Sequence, residues 1–435
     1  MSQLNEIFPR MVCGLGIVVF VAMAWSISTD RRRFPWRIVI GGLLLQFTLA
    51  VSVLQTDLGR QTFKHIGDGF QTLMSTIDAG SGFLFSTGPD NPLSDSLLAT
   101  FAFGVLPTVI FFSSLMSVLY HLGVMQRIVW VMAWVMKFSL KTSGPETLAA
   151  AANVFVGHTE APLVVRPYLS KMSRSELCAM MTGGFATVTG GLLGAYAKMG
   201  VDISHLLTAS IISAPAALLI AKVMVPDTPV EPDAERSGDK QKSEDDAMTL
   251  KIERTHVNVI GAAVEGASDG LKLALNVGAM LIAFLALIAL IDLLLGGMCT
   301  TFGWVNSNDE PRVTLGVILG YACWPLAWLL GIPASECRAA GELIGLKTVA
   351  NEFIAYQQLG QIVQSEEPTI SARTATVLTY ALAGFSNFAA IGIQVGGIGG
   401  LAPERKSDLA SLGLRAMFGG LLACCMTGAI AGMML

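Results

Sequence analysis

The sequence predicts an all-α polytopic membrane protein: eight transmembrane helices plus two opposed re-entrant helical hairpins in an inverted repeat. Three observations predict it. Of 435 residues, 53% are hydrophobic and 14% charged, with a mean hydropathy of +0.60; a soluble domain carries about 25% charged residues. Apolar runs near the length of a bilayer crossing, about 20 residues, recur along the whole chain. Two further apolar regions are interrupted by polar motifs that carry a carboxylate, which hydrocarbon rejects unless it lines a site or a wet path.

Taken in order, the first run is 11–28. It has no basic leader beyond Arg10 and is followed at once by Arg31-Arg32-Arg33. A cleavable signal places its charge before the apolar core, so this run is expected to stay and span. Spans follow at 38–54 and 97–121, with 57–82 amphipathic enough to lie along an interface. Residues 145–169 break between Gly157 and Pro162, and 178–199 and 203–224 are spans. Segment 226–256 is charged and aperiodic, a loop on the cytoplasmic side. A span at 272–296 precedes 313–360, which breaks at Gly331-Ile-Pro333 and is too long for one crossing. Spans at 375–400 and 408–434 end the chain. Irregular backbone at membrane depth must face protein or a water-filled cavity, which suits a re-entrant hairpin at both breaks. The expected division is therefore 1–144 scaffold and interfacial segment, 145–224 first hairpin with its broken helix and span, and 225–271 charged loop and interfacial helix. Residues 272–312 form a scaffold span and outer loop, 313–400 the second hairpin with its broken helix, and 401–435 the last span.

Basic residues orient the array. With the N-terminus outside and each hairpin returning to its own side, the inside segments hold Arg31, Arg32, Arg33, Arg37, Arg127, Lys137, Lys141, Arg166, Lys171 and Arg174. They also hold Lys222, Arg236, Lys240, Lys242, Lys251, Arg254, Arg405 and Lys406, which makes 18 of 28 Lys and Arg. The positive-inside rule then places both termini outside the cytoplasm of a plasma (inner) membrane. Counting either hairpin as a full crossing would invert everything after it.

The two interrupted regions share a design. The first offers Asn153, His158, Thr159 and Glu160, then a span broken at Gly183-Gly184-Phe185-Ala186-Thr187-Val188-Thr189-Gly190-Gly191. The second offers Asn351-Glu352, then a span broken at Gly384-Phe385-Ser386-Asn387-Phe388. Hairpin followed by broken helix, entered from opposite faces, is the pattern of an inverted repeat with its site at mid-membrane. Glu160 and Glu352 have neutral neighbours that can share hydrogen bonds but cannot cancel charge. A cation, or a ligand rich in O–H and N–H groups, would complete each site; idle packing is the plainer alternative. Asn153, the Val156 carbonyl, Thr187 and the Val188 carbonyl could form an all-oxygen site for Na⁺. Small polar residues that smooth helix contacts fit the same letters. His158 could carry a proton or read a base as a neutral group, and the second is preferred. Phe385 and Phe388 could stack on a ring. Lys347 is expected to reach water or an acidic neighbour.

Several classes find no support. The glycine runs at 190–194 and 396–400 lack the Lys-Ser/Thr of a phosphate loop, and no nucleophile–base set or zinc ligand set is present, so an enzyme is not expected. Seven cysteines show no disulfide or metal spacing and read as core residues. A net charge of −4 gives no argument for nucleic acid.

At these residues the chain resembles the concentrative nucleoside transporters, from about residue 97 to the C-terminus. The resemblance rests on Gly345-Leu-Lys347-Thr-Val-Ala-Asn351-Glu352-Phe353-Ile-Ala355 with Gly384-Phe385-Ser-Asn387-Phe388, on Gly157-His158-Thr159-Glu160-Ala-Pro162, and more weakly on Ser213-Ala-Pro215-Ala. It implies a homotrimer in lipid and an elevator-like movement of a transport domain. It also implies that His158, Thr159, Glu160 and Leu192 face the nucleobase, that Glu352, Phe385 and Asn387 surround the ribose, and that Asn153, Val156, Thr187 and Val188 hold Na⁺. Two positions depart from the family's usual pattern: His158 stands where Gln is common, and Ala390 where a ribose-contacting Ser is common. No cofactor beyond the coupling ion is expected. Na⁺ is preferred over H⁺ because Asn153 and the Thr187 hydroxyl are present; H⁺ coupling through His158 or Glu160 and a channel are the rivals.

Overall fold

The computed structural model describes residues 2–85, 100–158, 160–227, 257–304 and 313–435. Their regular elements are all helical, with no strand among the described residues. Helix α1 is Ser2–Ser26, α2 Trp36–Leu54 and α3 Asp57–Phe85. A short π-turn, Phe101–Val105, leads into α4, Leu106–His121, and α5 is Val124–Leu140. The first interrupted region gives α6, Gly144–Asn153, an irregular stretch, the single turn α7, Ala161–Val164, and a 3₁₀ turn, Arg166–Lys171. The broken helix after it gives α8, Arg174–Ala186, and α9, Gly190–Lys198; α10 is Ile203–Met224. Then come α11, Val259–Thr301, α12, Leu315–Ala322, α13, Trp324–Leu329, α14, Cys337–Val349, and α15, Glu352–Gln364. The second broken helix gives α16, Ala372–Leu382, and α17, Phe388–Leu401, before α18, Lys406–Met434.

Seven helical stretches among the described residues are long and apolar enough to cross a membrane: 7–26, 36–54, 102–121, 174–198, 203–224, 259–301 and 403–434. The expected span at 375–400 is not among them because five residues, 383–387, unwind it into α16 and α17. The division expected at 271/272 also falls inside a helix, since α11 runs unbroken for 43 residues. Most of the 226–256 segment and residues 97–99 lie outside the described residues. In the second interrupted region the turn at Gly331–Pro333 is present, with Gly331 at φ +71°, and a second break follows at Ala350–Asn351.

The chain ends of these elements are written in local chemistry. Ser143 and Glu146 form a capping box at the start of α6, and Ser173 with Glu176 does the same for α8. Asn351, Ser371 and Asn387 each accept a backbone N–H to open α15, α16 and α17. Helices α8, α10 and α18 form the buried centre, packed on one another and on α1, α2, α6 and α16. By contrast α11 lies along α4 and exposes Leu275, Ile282, Leu293 and Leu294.

The two breaks cross at the centre. A β-carbon on Gly384 would meet the Phe185 carbonyl oxygen at 2.6 Å, and its φ is +144°, so only glycine lets these backbones approach. Cys424 on α18 donates its thiol to the Ala383 carbonyl at 2.8 Å and reaches the Ala186 carbonyl at 3.5 Å. One side chain thus serves the freed carbonyls of both broken helices, a role beyond the packing expected of it.

Candidate functional site

The second half builds the more polar part. Asn351 accepts from the Ile354 amide at 3.0 Å and starts α15, which makes Glu352 its first residue, beside the positive end of a helix. Glu352 is 3% exposed. One carboxylate oxygen accepts from the Tyr196 hydroxyl at 3.1 Å, and the other from Asn387 Nδ2 at 3.4 Å. Asn387 has no freedom to flip: its Oδ1 caps α17 by accepting from the Ala390 amide at 2.9 Å, so its NH₂ must face the carboxylate. Tyr196 belongs to α9, so the first half contributes directly to the grip on Glu352.

The first half offers oxygen atoms. Asn153 ends α6, is buried, and donates from Nδ2 to the Met180 carbonyl at 3.4 Å, while its Oδ1 has no partner. Its amide lies against Gly183, where an added β-carbon would sit 3.0 Å from Nδ2. The carbonyl of that same glycine accepts from the Thr187 hydroxyl at 2.9 Å. Thr187 spends its hydrogen there and keeps its oxygen lone pairs, and Val156 and Val188 are buried at the irregular turns beside it. The Gly190 amide donates to the Phe155 carbonyl at 2.8 Å and stitches the two turns together. A buried amide oxygen without a partner, a hydroxyl oxygen and freed carbonyls are hard, neutral donors that suit a small cation.

His158 and Phe385 meet across the halves, ring centroids 4.8 Å apart and planes at 68°. Both His158 ring nitrogens are buried without a partner. Leu192 and Ala390 are buried on α9 and α17. Glu160 is exposed, and its electrostatic neighbours are Tyr120 on α4 and Asp269 on α11 rather than Glu352. Thr159 lies outside the described residues. Phe388 is half-exposed, away from the ring contact that Phe385 makes.

Three groups escaped sequence reasoning. Tyr196 stands between alanines in an apolar span and reads as packing. Gln394, fully buried on α17, donates from Nε2 to the Met181 carbonyl at 3.3 Å and leaves Oε1 without a partner. It and His158 flank Gly184, where an added β-carbon would lie 2.8 Å from Gln394 Nε2 and 2.6 Å from His158 Cβ. The third group is an ion pair: Lys222, buried on α10, meets Glu146 at 2.8 Å and Asp227 at 2.7 Å. Lys347 is fully buried and donates to the Ala381 carbonyl at 3.0 Å, and among the described residues it makes no direct ion pair, with Glu352 as its acidic neighbour at longer range.

Residues 205–432 match the model of the Na⁺ dependent nucleoside transporter C-terminus, 15–87 that of its N-terminus, and 102–202 a nucleoside recognition (gate) model. The chain is 40% identical over 444 residues to solute carrier family 28 member 3 of Eptatretus stoutii, covering 99% of this chain and 61% of that protein. It is 41% identical over 421 residues to an uncharacterized transporter of Haemophilus influenzae, covering 96% of each. The chain thus spans about three fifths of the animal relative and nearly all of the bacterial one. Among solved structures, CNTnw in an inward-facing substrate-bound state matches with a TM-score of 0.87 at 38% identity, covering 100% of this chain and 98% of that one. A CNTnw variant in an outward-facing state matches with the same score over 98% of this chain and 97% of that one. These matches, over the length that holds both broken helices, show that the chain belongs to the concentrative, Na⁺-dependent nucleoside transporter family.

Proposed function

We propose that this chain is a Na⁺-coupled symporter that imports nucleosides by alternating access. The observation that carries the reading is Glu352: a buried carboxylate, held by the neutral donors Tyr196 and Asn387, with lone pairs left to take a ribose hydroxyl. Phe385, two residues before Asn387, meets the His158 ring, so a nucleoside laid across the breaks would place its ribose at Glu352 and Asn387. Its base would lie toward His158, Thr159, Glu160 and Leu192. The unpartnered Nδ1 and Nε2 of His158 supply one donor and one acceptor in the neutral ring. Ala390 offers no hydroxyl where a serine would add one, which narrows or shifts the ribose preference.

The oxygen cluster of Asn153, Val156, Thr187 and Val188 is the proposed seat of Na⁺. A cation there would hold the turn that bears His158 and Glu160, so ion and nucleoside bind better together than apart. That differential affinity is what coupling requires. Support for two end states comes from CNTnw, whose structures are described as inward-facing with substrate bound and as outward-facing. We extend the reading to eight crossings, two opposed hairpins, both termini outside an inner membrane, a homotrimer in lipid, and an elevator-like movement of the buried body past α4 and α11. The 225–271 and 272–312 segments then belong to linker and scaffold.

A second reading keeps the fold and substrate but couples to H⁺ through His158, whose ring nitrogens lack partners. Uptake of a labelled nucleoside panel into proteoliposomes separates them. Accumulation driven by an inward Na⁺ gradient, and indifferent to an imposed pH gradient, is expected. Accumulation with H⁺ alone would move the coupling site to His158 or a carboxylate, and none with either ion would refute nucleoside symport.

A further inference from the structure

Lys347 is a charge that the substrate site does not explain. It lies in the last turn of α14, two residues before the break that leads to Asn351 and Glu352. Its ammonium is fully buried, and its one hydrogen bond among the described residues goes to the Ala381 carbonyl, in the last turn of α16. Taking an ammonium out of water costs several kcal/mol even after relaxation, while one neutral hydrogen bond returns about 1 kcal/mol. Something else must hold the charge. Two negative features are at hand. Glu352, five residues along, is buried with only neutral direct partners and lies within electrostatic range of Lys347. The α16 terminus adds the partial negative charge of carbonyls freed by the break.

The first half makes a related contact without a charge, to a carbonyl in the middle of its broken helix rather than at the end. There α6 ends on Asn153, whose neutral amide donates to Met180 of the broken helix α8 and leaves an oxygen unpartnered. In the second half α14 sends an ammonium to the broken helix α16 instead. The neutral arrangement is open to an added cation, whereas the charged one already contains its own.

We propose that Lys347 is the resident cation of the second half, a positioning residue that offsets Glu352 and the carbonyl end of α16. With it in place this half recruits no coupling ion. The proposal builds on the assignment of Glu352 to the substrate and of Asn153 to the ion.

A double-variant cycle on the purified full-length protein, followed as thermal unfolding without nucleoside, tests it. K347M removes charge and hydrogen bond, and K347Q removes the charge but keeps an N–H donor. Both should unfold several degrees below wild type. E352Q should lower Tm beside the native lysine yet raise it in either lysine variant, because removing the stranded carboxylate relieves its burial. If Lys347 only ties a carbonyl, K347Q should sit near wild type and E352Q should lower Tm equally in every background; that outcome would overturn the proposal. If K347M fails to accumulate, recovery of monodisperse protein in K347M/E352Q reads the same coupling, and its continued absence there and in K347Q/E352Q counts against it. Because no transport is measured, the cycle stands or falls independently of whether Na⁺ or H⁺ drives uptake. In proteoliposomes the same view requires one charge moved per nucleoside, and two would contradict it.

Discussion

At Glu352 the protein keeps a carboxylate whose direct partners, Tyr196 and Asn387, are both neutral, so its hydrogen-bonding capacity is not exhausted by the fold. A hydrogen bond to a charged group contributes about 1.5–3 kcal/mol, or roughly 10- to 100-fold in affinity. E352Q should therefore lose nearly all uptake with normal expression and a monodisperse profile; wild-type uptake in that variant would remove Glu352 from the ribose. Y196F should weaken nucleoside binding by about 10-fold, measurable by equilibrium binding to purified protein, since the carboxylate loses a donor but keeps its place. H158Q exchanges the donor and acceptor set offered to the base and should reorder preference within a nucleoside panel rather than abolish transport. An equal loss for every nucleoside would instead mean that His158 packs and does not read. Glu352 and Asn387 were legible in the sequence because a carboxylate in an apolar run demands a reason. Tyr196 and Gln394 were not, nor was the Ala381 carbonyl as the partner of Lys347, since an aromatic ring or long polar side chain declares its partner only when another half of the chain is folded against it.

The elements show why two short polar stretches can unwind inside a packed interior. Each break leaves carbonyls without helical partners, and the fold answers them with Cys424, Lys347 and the Gly190 amide. The glycine clusters made both broken helices visible in advance and Asn351-Glu352 marked the second hairpin, although the length of α11 was not visible, because nothing in an apolar stretch marks where a helix passes out of the membrane. Equally invisible was the tie between the α6 start and the α10 end. Glu146 closes the capping box by accepting from the Ser143 amide at 2.8 Å with one oxygen and meets Lys222 with the other, while Lys222 also donates to Ser175 at 3.1 Å. Breaking a buried pair by removing one partner costs about 3–5 kcal/mol, and replacing both can be nearly neutral. K222M should thus unfold well below wild type in a detergent melt, with E146Q/K222M recovering most of the loss. Additive losses would show that the pair is not coupled.

Over the whole molecule, α8, α10 and α18 pack on one another at the centre, while α4 packs along α11 on one side and against α9 on the other. Between α9 and α4 lies a close contact: Gly190, Gly191 and Gly194 of α9 face Met116, Ser113 and Phe112 of α4, and the Phe112 ring fills the space a β-carbon on Gly194 would need. If the site crosses the membrane with its body, this contact has to change during every cycle. A β-carbon on Gly191 would lie 3.2 Å from Ser113 Oγ, close enough for a disulfide without moving either backbone far. With the native cysteines kept, all buried but Cys323, S113C/G191C should transport when reduced, stop when oxidised, and recover on reduction. Nucleoside binding should persist in the oxidised form, because the bond joins α4 to α9 and leaves Glu352, Asn387 and His158 untouched. Uptake that continues with the bond shown to be formed would mean that α4 and α9 travel together, and the moving boundary would then have to be sought elsewhere.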